Sequence, residues 1–396
     1  MEVIFLIGAI QAVFLAVLIF GKGSKSTADY VLAIWMVFIG LHLLFNYFTV
    51  TGIVLRHPHL LGVAEFFPQL QGAFLFIYVS ILTNEKGRFR ASYLFYTIPF
   101  VLSMIYATFD FYLLGAIEKL KYYLEIAESA PPIYAVLFSL NIYLGPIFVI
   151  VSFLLLRRHK RSIVDKFSYS EKINLDWLNY VLIGFGFVWT VVLFSNLSEN
   201  TFGIFSAEIG NNLIFISVVM LVFFLGFFGF KQSVIFTKIS LESARAAIEK
   251  HAEVEQSMEV EIKVESFREQ AKRYKRSGLD RSDGENHLKR LVEYMETEKP
   301  YLESRLSLKQ LAERLKISTN YLSQIINENL QKNFFDFINE YRVDEVKRSI
   351  GEERYKHYSL LGVAYECGFN SKSSFNSIFK KKTGLTPSEF QKSVSA

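Results

Sequence analysis

With 396 residues, 16% of them aromatic, a formal net charge of +5 and a mean hydropathy of +0.26, the chain is long enough for two or more domains and too apolar to be soluble along its whole length. Its one cysteine, Cys367, excludes a disulfide framework and a thiolate metal cluster, and is expected to be a buried small hydrophobe. No HExxH, GxSxG or glycine-rich phosphate loop occurs, so the sequence is read as a non-enzyme with no cofactor and no metal centre.

Seven apolar stretches occupy the first 230 residues, at about 3–20, 30–50, 61–82, 93–115, 133–156, 177–197 and 209–230. Each is near the roughly 20 residues that cross a bilayer as a helix. A single stretch could be a buried core helix; seven in succession point to a transmembrane bundle over residues 1–235. The first stretch is expected to remain as a span, because Met1-Glu2 supplies no basic region and Gly21-Lys22-Gly23 lacks a small-residue cleavage pattern.

The segments between the stretches set an orientation. Alternate loops carry eleven basic residues: Lys22, Lys25, Lys86, Arg88, Arg90, Arg157, Arg158, Lys160, Arg161, Lys166 and Lys172. The opposite loops carry three, Arg56, Lys119 and Lys121. Basic residues stay on the cytoplasmic side, so the N-terminus is expected outside a cytoplasmic (inner) membrane and the C-terminus inside it. On that topology His42, Asn46, Glu65, Gln69, Asp110, Asn141 and Asn196 fall in the outer halves of their spans. Polar groups at such depth are costly. His42, Asn46, Glu65, Gln69 and Asn141 are therefore candidates for an outward-opening pocket that receives a small-molecule or membrane signal. The alternative is hydrogen bonding between helices, with some span ends reaching water.

Residues 236–285 form a charged linker. From Lys238 to Arg276 it is dense in Glu, Lys and Arg and free of Pro and Gly, which reads as an exposed helix. Leu241, Ala244, Ile248, Met258 and Ile262 fall near a heptad seam that His251 and Glu255 interrupt, leaving a homodimeric coiled coil and a lone helix both open. Ser277-Gly278 and Ser282-Asp283-Gly284 read as a joint before the last domain, 286–396.

In that domain Ser307 is placed to cap a helix carrying Leu308, Leu311, Ala312 and Leu315. After a turn at Lys316-Ile317, Ser318 caps a second helix with Tyr321, Leu322, Ile325 and Ile326 on one face. A longer helix follows from Phe334 to Ile350, with Phe337, Ile338, Tyr341, Arg342 and Val346. A short helix from about Leu360 to Cys367 then stops at Gly368, and Ser371 caps the next, on which Phe375, Ile378 and Phe379 recur at helical spacing. Lys372, Ser373, Asn376 and Ser377 point the other way, a polar face suited to a major groove.

Two helix-turn-helix units in this order, with Ala364, Cys367-Gly368-Phe369, Gly384, Thr386-Pro387 and Phe390, closely resemble the DNA-binding domain of AraC/XylS transcription regulators. The resemblance covers about residues 286 to 392. It implies that Asn320, Ser323 and Gln324 on the first recognition helix, and Lys372, Ser373 and Ser377 on the second, face bases, with Asn376 reaching a base or phosphate. Lys380, Lys381 and Arg342 are phosphate or framework candidates, Arg342 equally a structural partner. Where many members have glycine, this chain has Lys316 and Gln331; each either bears a left-handed backbone cost or sits in a turn of another build. The 18 basic against 14 acidic residues from position 286 onward favour DNA only modestly.

The expectation is thus an all-α protein: a seven-helix membrane bundle, a helical linker and an AraC-type domain, with double-stranded DNA and the lipid bilayer as partners. It is read as a membrane-integral, sequence-specific regulator coupling an external or membrane signal to gene expression. The competing reading is a transporter or membrane enzyme whose helical tail binds a protein.

Overall fold

A computed structural model describes residues 2–84, 87–125, 130–169, 175–199, 203–204, 206–226 and 281–395. It divides into two compact units, Met1–Leu156 with Asp176–Glu253 and Arg157–Leu175 with Val254–Ala396. The fold is all-α; among the described residues the only β-type pairing is an isolated bridge between Phe167 and Ser307.

The first unit contains α1 (Glu2–Phe20), α2 (Thr27–Val50), α3 (Phe67–Thr83), α4 (Ala91–Tyr112), the greater part of α5 (Pro132–Lys166), α6 (Asp176–Leu197) and α7 (Ala207–Gly226). Six of them are long and apolar enough to cross a membrane by length and composition, and α3 is a shorter apolar helix. Among the described residues all seven apolar stretches therefore fall mainly on helices. Only the third begins late, because Gly62 is left-handed (φ 71°) and Pro68 stands at the helix start, so residues 61–66 are spent on turns. The α2 start is a capping box: Ser26 Oγ accepts from Asp29 N–H, the Asp29 carboxylate accepts from Ser26 N–H, and Lys22 Nζ closes on Asp29 at 2.7 Å.

Core and surface of this unit are both apolar. Ala9, Ala12 and Ala16 of α1 are buried, while Val3, Ile7, Ile10, Phe14 and Val17 of the same helix are exposed. Small residues allow close approach. At Gly145 of α5 an added Cβ would lie 1.8 Å from Trp189 Cε2, so the α5 backbone rests directly on the α6 indole. Pro146 follows inside the helix, where the missing N–H and the ring favour a bend.

The second unit contains α8 (Arg281–Thr297), α9 (Leu308–Leu315), α10 (Thr319–Leu330), α11 (Phe334–Ile350), α12 (Leu360–Glu366), α13 (Lys372–Thr383) and α14 (Pro387–Ser395). The linker expected over 236–285 lies outside the described residues except where α8 begins, so the joint read at Ser282-Asp283-Gly284 is helical instead. Helix α11 belongs to two cores. Its Phe334, Phe337 and Ile338 pack with Leu291, Leu311, Leu322 and Ile326, and its Val343 and Val346 pack with Val363, Phe369, Phe375 and Phe379. Burying a side chain of this size stabilises by about 1.5–3 kcal/mol, so α11 ties both halves into one body. Cys367 lies in the second core, 1% exposed, and burial pushes its thiol up to about 11.

Candidate nucleic-acid interface

Helices α9–α10 and α12–α13 are two helix-turn-helix units on either side of α11. Each recognition helix is started by a serine whose hydroxyl takes an otherwise unmet N–H: Ser318 Oγ from Tyr321 at 3.2 Å and Ser371 Oγ from Ser374 at 3.1 Å. Burial of Leu322, Ile325 and Ile326 in α10, and of Phe375, Ile378 and Phe379 in α13, fixes which faces turn outward. Asn320 is exposed and Ser323 and Gln324 are half-buried; Lys372, Ser373, Asn376 and Ser377 are all exposed. The ten candidate positions thus divide cleanly, with one exception below.

In α10 two of the three candidate side chains are already paired. Gln324 Nε2 donates to Glu328 Oε1 at 3.0 Å, and Asn327 Nδ2 donates to Ser323 Oγ at 3.3 Å. Asn327 and Glu328 were missed in reading the sequence, although their i,i+4 spacing from Ser323 and Gln324 was the available signal. That bond uses one of the two Gln324 N–H donors and leaves the other and Oε1 for a base, while Glu328 is an acceptor suited to cytosine N4.

The basic residues behind α13 differ in engagement. Lys380 is exposed, Lys381 reaches Asp336 at 3.4 Å, and Lys382 binds Glu340 at 2.9 Å. Glu340 also accepts from Lys332 at 2.8 Å. Burial works to raise its pKa, but Lys332 and Lys382 more than offset it and hold the carboxyl below its usual range.

Arg342 is a correction. It is 1% exposed and cannot touch a phosphate in this conformation. All five of its N–H donors are used inside the protein: Nε to Tyr301 O (2.7 Å), Nη1 to Ser168 O (3.0 Å) and Asn339 Oδ1 (3.2 Å), Nη2 to Glu303 O (2.7 Å) and Ser168 Oγ (3.1 Å). Burial lowers its pKa to about 9, which leaves the guanidinium charged at neutral pH. Its role is framework.

In the first unit, His42, Asn46, Glu65 and Asn141 line one cavity of about 880 Å³. Gln69 does not, which is the second correction. It is 1% exposed, donating from Nε2 to Leu137 O at 2.9 Å and accepting from Ser103 Oγ at 3.1 Å, so it ties α3 to α4 and α5. Two residues further along α3, Gln71 lines the cavity instead and accepts from Trp35 Nε1 at 2.7 Å.

Two capped helix-turn-helix units sharing one 17-residue joining helix define an AraC-type DNA-binding domain. Residues 311–393 match the family described as a helix-turn-helix domain, and this part of the chain is of AraC type. The melibiose operon regulatory protein of Escherichia coli (strain K12) is 29% identical over 87 residues, which is 22% of this chain and 28% of that protein. An uncharacterized HTH-type transcriptional regulator in the cgkA 5' region of Pseudoalteromonas carrageenovora is 30% identical over 80 residues, 20% of this chain and 45% of that one. The chain spans less than half the length of each of these relatives. No solved structure matches the chain.

Proposed function

We propose that the protein is a membrane-integral transcription regulator that binds DNA through both recognition helices and responds to a signal received among its apolar helices. The observation that carries DNA binding is the pair of capped helix-turn-helix units whose outward faces hold short polar and basic side chains over fully apolar inner faces. Asn320, Ser323, Gln324, Lys372, Ser373 and Ser377 read bases, Asn376 a base or phosphate, and Lys380 and Lys381 hold phosphates. Both E. coli and P. carrageenovora relatives are named as regulators, which supports the same role here.

Membrane integration rests on the six long apolar helices together with their exposed large hydrophobic residues. In water such a surface would aggregate; in lipid it is solvated. A reporter active only outside the cytoplasm should work within residues 198–205 and fail after Ala396; activity at the C-terminus would reverse the topology. Mapping the tagged protein across its genome gives the operator. With that operator, Gln324→Ala or Lys372→Ala should cost about 1–3 kcal/mol of specific binding and relax one or two base pairs. Equal weakening on random DNA would reassign the residue to phosphate contact.

The signal is received, in this reading, in the cavity that His42, Asn46, Glu65 and Asn141 line. A ligand there shifts the protein only if it binds two states with different affinity. His42→Ala should then abolish the response and leave operator binding in place.

A further inference from the structure

Within the reading just given, we propose that the 880 Å³ cavity takes a small organic cation, an ammonium on an apolar or aromatic body, and discriminates against anions. The volume lies within the roughly 300–1,000 Å³ of small-molecule pockets, far above what one or two waters need. Its charge is one-sided. Glu65, Glu199 and Glu208 line it, with no Lys or Arg among the described lining residues. A carboxylate ligand would meet like charge there, whereas an ammonium meets attraction, from the half-buried Glu65 and from the exposed Glu199 and Glu208. The apolar wall is mainly aliphatic but includes Phe45, Phe138, Phe185, Trp189 and Phe215, side chains of the kind that hold ammonium groups by cation–π attraction.

The lining also has hydrogen-bonding capacity left over. Trp35 Nε1 can only donate, so Gln71 must turn its oxygen to it, and Gln71 Nε2 is left without a partner. Asn141 Nδ2 donates to the backbone oxygen of Glu65 at 2.9 Å, which leaves Asn141 Oδ1 without one. Asn46 Nδ2 and Ser195 Oγ complete a set of four unmatched buried atoms, all on lining residues. Unmatched buried groups carry a destabilising cost. An occupant with polar substituents near its charged end recovers part of that cost, which a purely hydrocarbon ligand cannot.

The test uses the full-length protein in nanodiscs, with thermal unfolding and operator binding read on one preparation. The probes are benzyltrimethylammonium, phenethylamine and spermidine, set against phenylacetate and a neutral disaccharide. At least one ammonium probe should raise the unfolding midpoint by about 5 °C or more at saturation. That rise should vanish in Glu65→Gln or, should that variant not fold, in the exposed Glu199→Gln. An equal rise with phenylacetate or the disaccharide, or none with any ammonium probe, overturns the assignment of ligand class. Loss of operator binding in the unliganded wild type would instead overturn the functional reading.

A separate observation concerns the second unit. The residues that follow α5 close on the framework of the first helix-turn-helix: Ser168 N–H and Oγ both donate to Leu306 O (3.2 and 2.6 Å), and Ser168 O accepts from Asn339 Nδ2 and Arg342 Nη1 (3.0 Å each). The geometry points to a latch that orders this unit for DNA when closed and loosens it when α5 withdraws, since opening strands two guanidinium donors and the Leu306 carbonyl. The bridged pair Phe167 and Ser307 supplies the test. In full-length Phe167→Cys/Ser307→Cys, oxidation should tighten operator binding about threefold or more, and reduction should reverse it. Identical or weaker binding in the oxidised form overturns the latch.

Discussion

The two helix-turn-helix units solve the same backbone problem with different residues. In the first, the left-handed positions are Lys316 (φ 56°) and Gln331 (φ 52°); in the second they are Gly368 (φ 88°) and Gly384 (φ 79°). Both non-glycine residues, Lys316 and Gln331, are therefore left-handed and carry that backbone cost. What separates the sites is space. An added Cβ at Gly368 would lie 2.3 Å from Tyr301 O, 2.9 Å from Leu302 O and 3.0 Å from Arg342 Nε, whereas Gly384 has nothing within 4 Å and Lys316 and Gln331 are exposed. Left-handed geometry alone costs an L-residue about 1–2 kcal/mol, which a cooperative unit can carry; overlap with backbone cannot be relaxed so cheaply.

The largest expected effects are on the framework that Gly368 touches. Arg342→Leu leaves Tyr301 O and Asn339 Oδ1 without their donor and takes one of two donors from Ser168 O and Glu303 O, and should lower stability by about 3–5 kcal/mol in thermal unfolding. A stable Arg342→Leu protein with weakened DNA binding would return the residue to the phosphate role. Gly368→Ala combines the backbone penalty with the overlap and should cost about 3 kcal/mol or more. If it costs no more than Gly384→Ala, the spatial account of the difference fails. Gly384→Ala itself carries the backbone penalty alone, about 1 kcal/mol. Lys316→Gly and Gln331→Gly run the comparison in reverse and should stabilise by about 0.5–1 kcal/mol each, as measured by denaturant midpoint; loss of stability in both would mean that their side chains contribute contacts.

The smallest effect is one of pH. Burial acts to raise the Glu345 pKa, but Lys299 at 2.9 Å, Arg348 at 3.0 Å and the Tyr301 hydroxyl outweigh it and hold the carboxyl below its usual range. A depressed folded-state pKa contributes stability that is present above the unfolded value and lost as pH falls through the folded one. Acidification from about pH 5 should therefore lower the unfolding midpoint of wild type more than that of Glu345→Gln. Parallel acid profiles would remove Glu345 from the account.

Local chemistry carried much of this protein in plain view. Ser307, Ser318 and Ser371 sit before apolar residues at helical spacing, so the starts of α9, α10 and α13 and their buried faces were legible from a few residues each. The same holds for Phe334–Ile350, whose bounds match the reading, and, among the described residues, for seven apolar stretches that fall mainly on helices. Groups whose role depends on distant partners were not legible. Arg342 looks like any basic residue on an amphipathic helix until Ser168, Tyr301 and Glu303 arrive from 174, 41 and 39 positions away to consume its donors. Gln69 and Gln71 are indistinguishable by composition, yet Leu137 and Ser103 bury one amide and Trp35 turns the other toward the cavity lining. Helical periodicity and capping act within four residues, so a chain displays them as a pattern; hydrogen-bond partners and the room for a Cβ are set by whichever segments the fold brings together, and no local pattern encodes them.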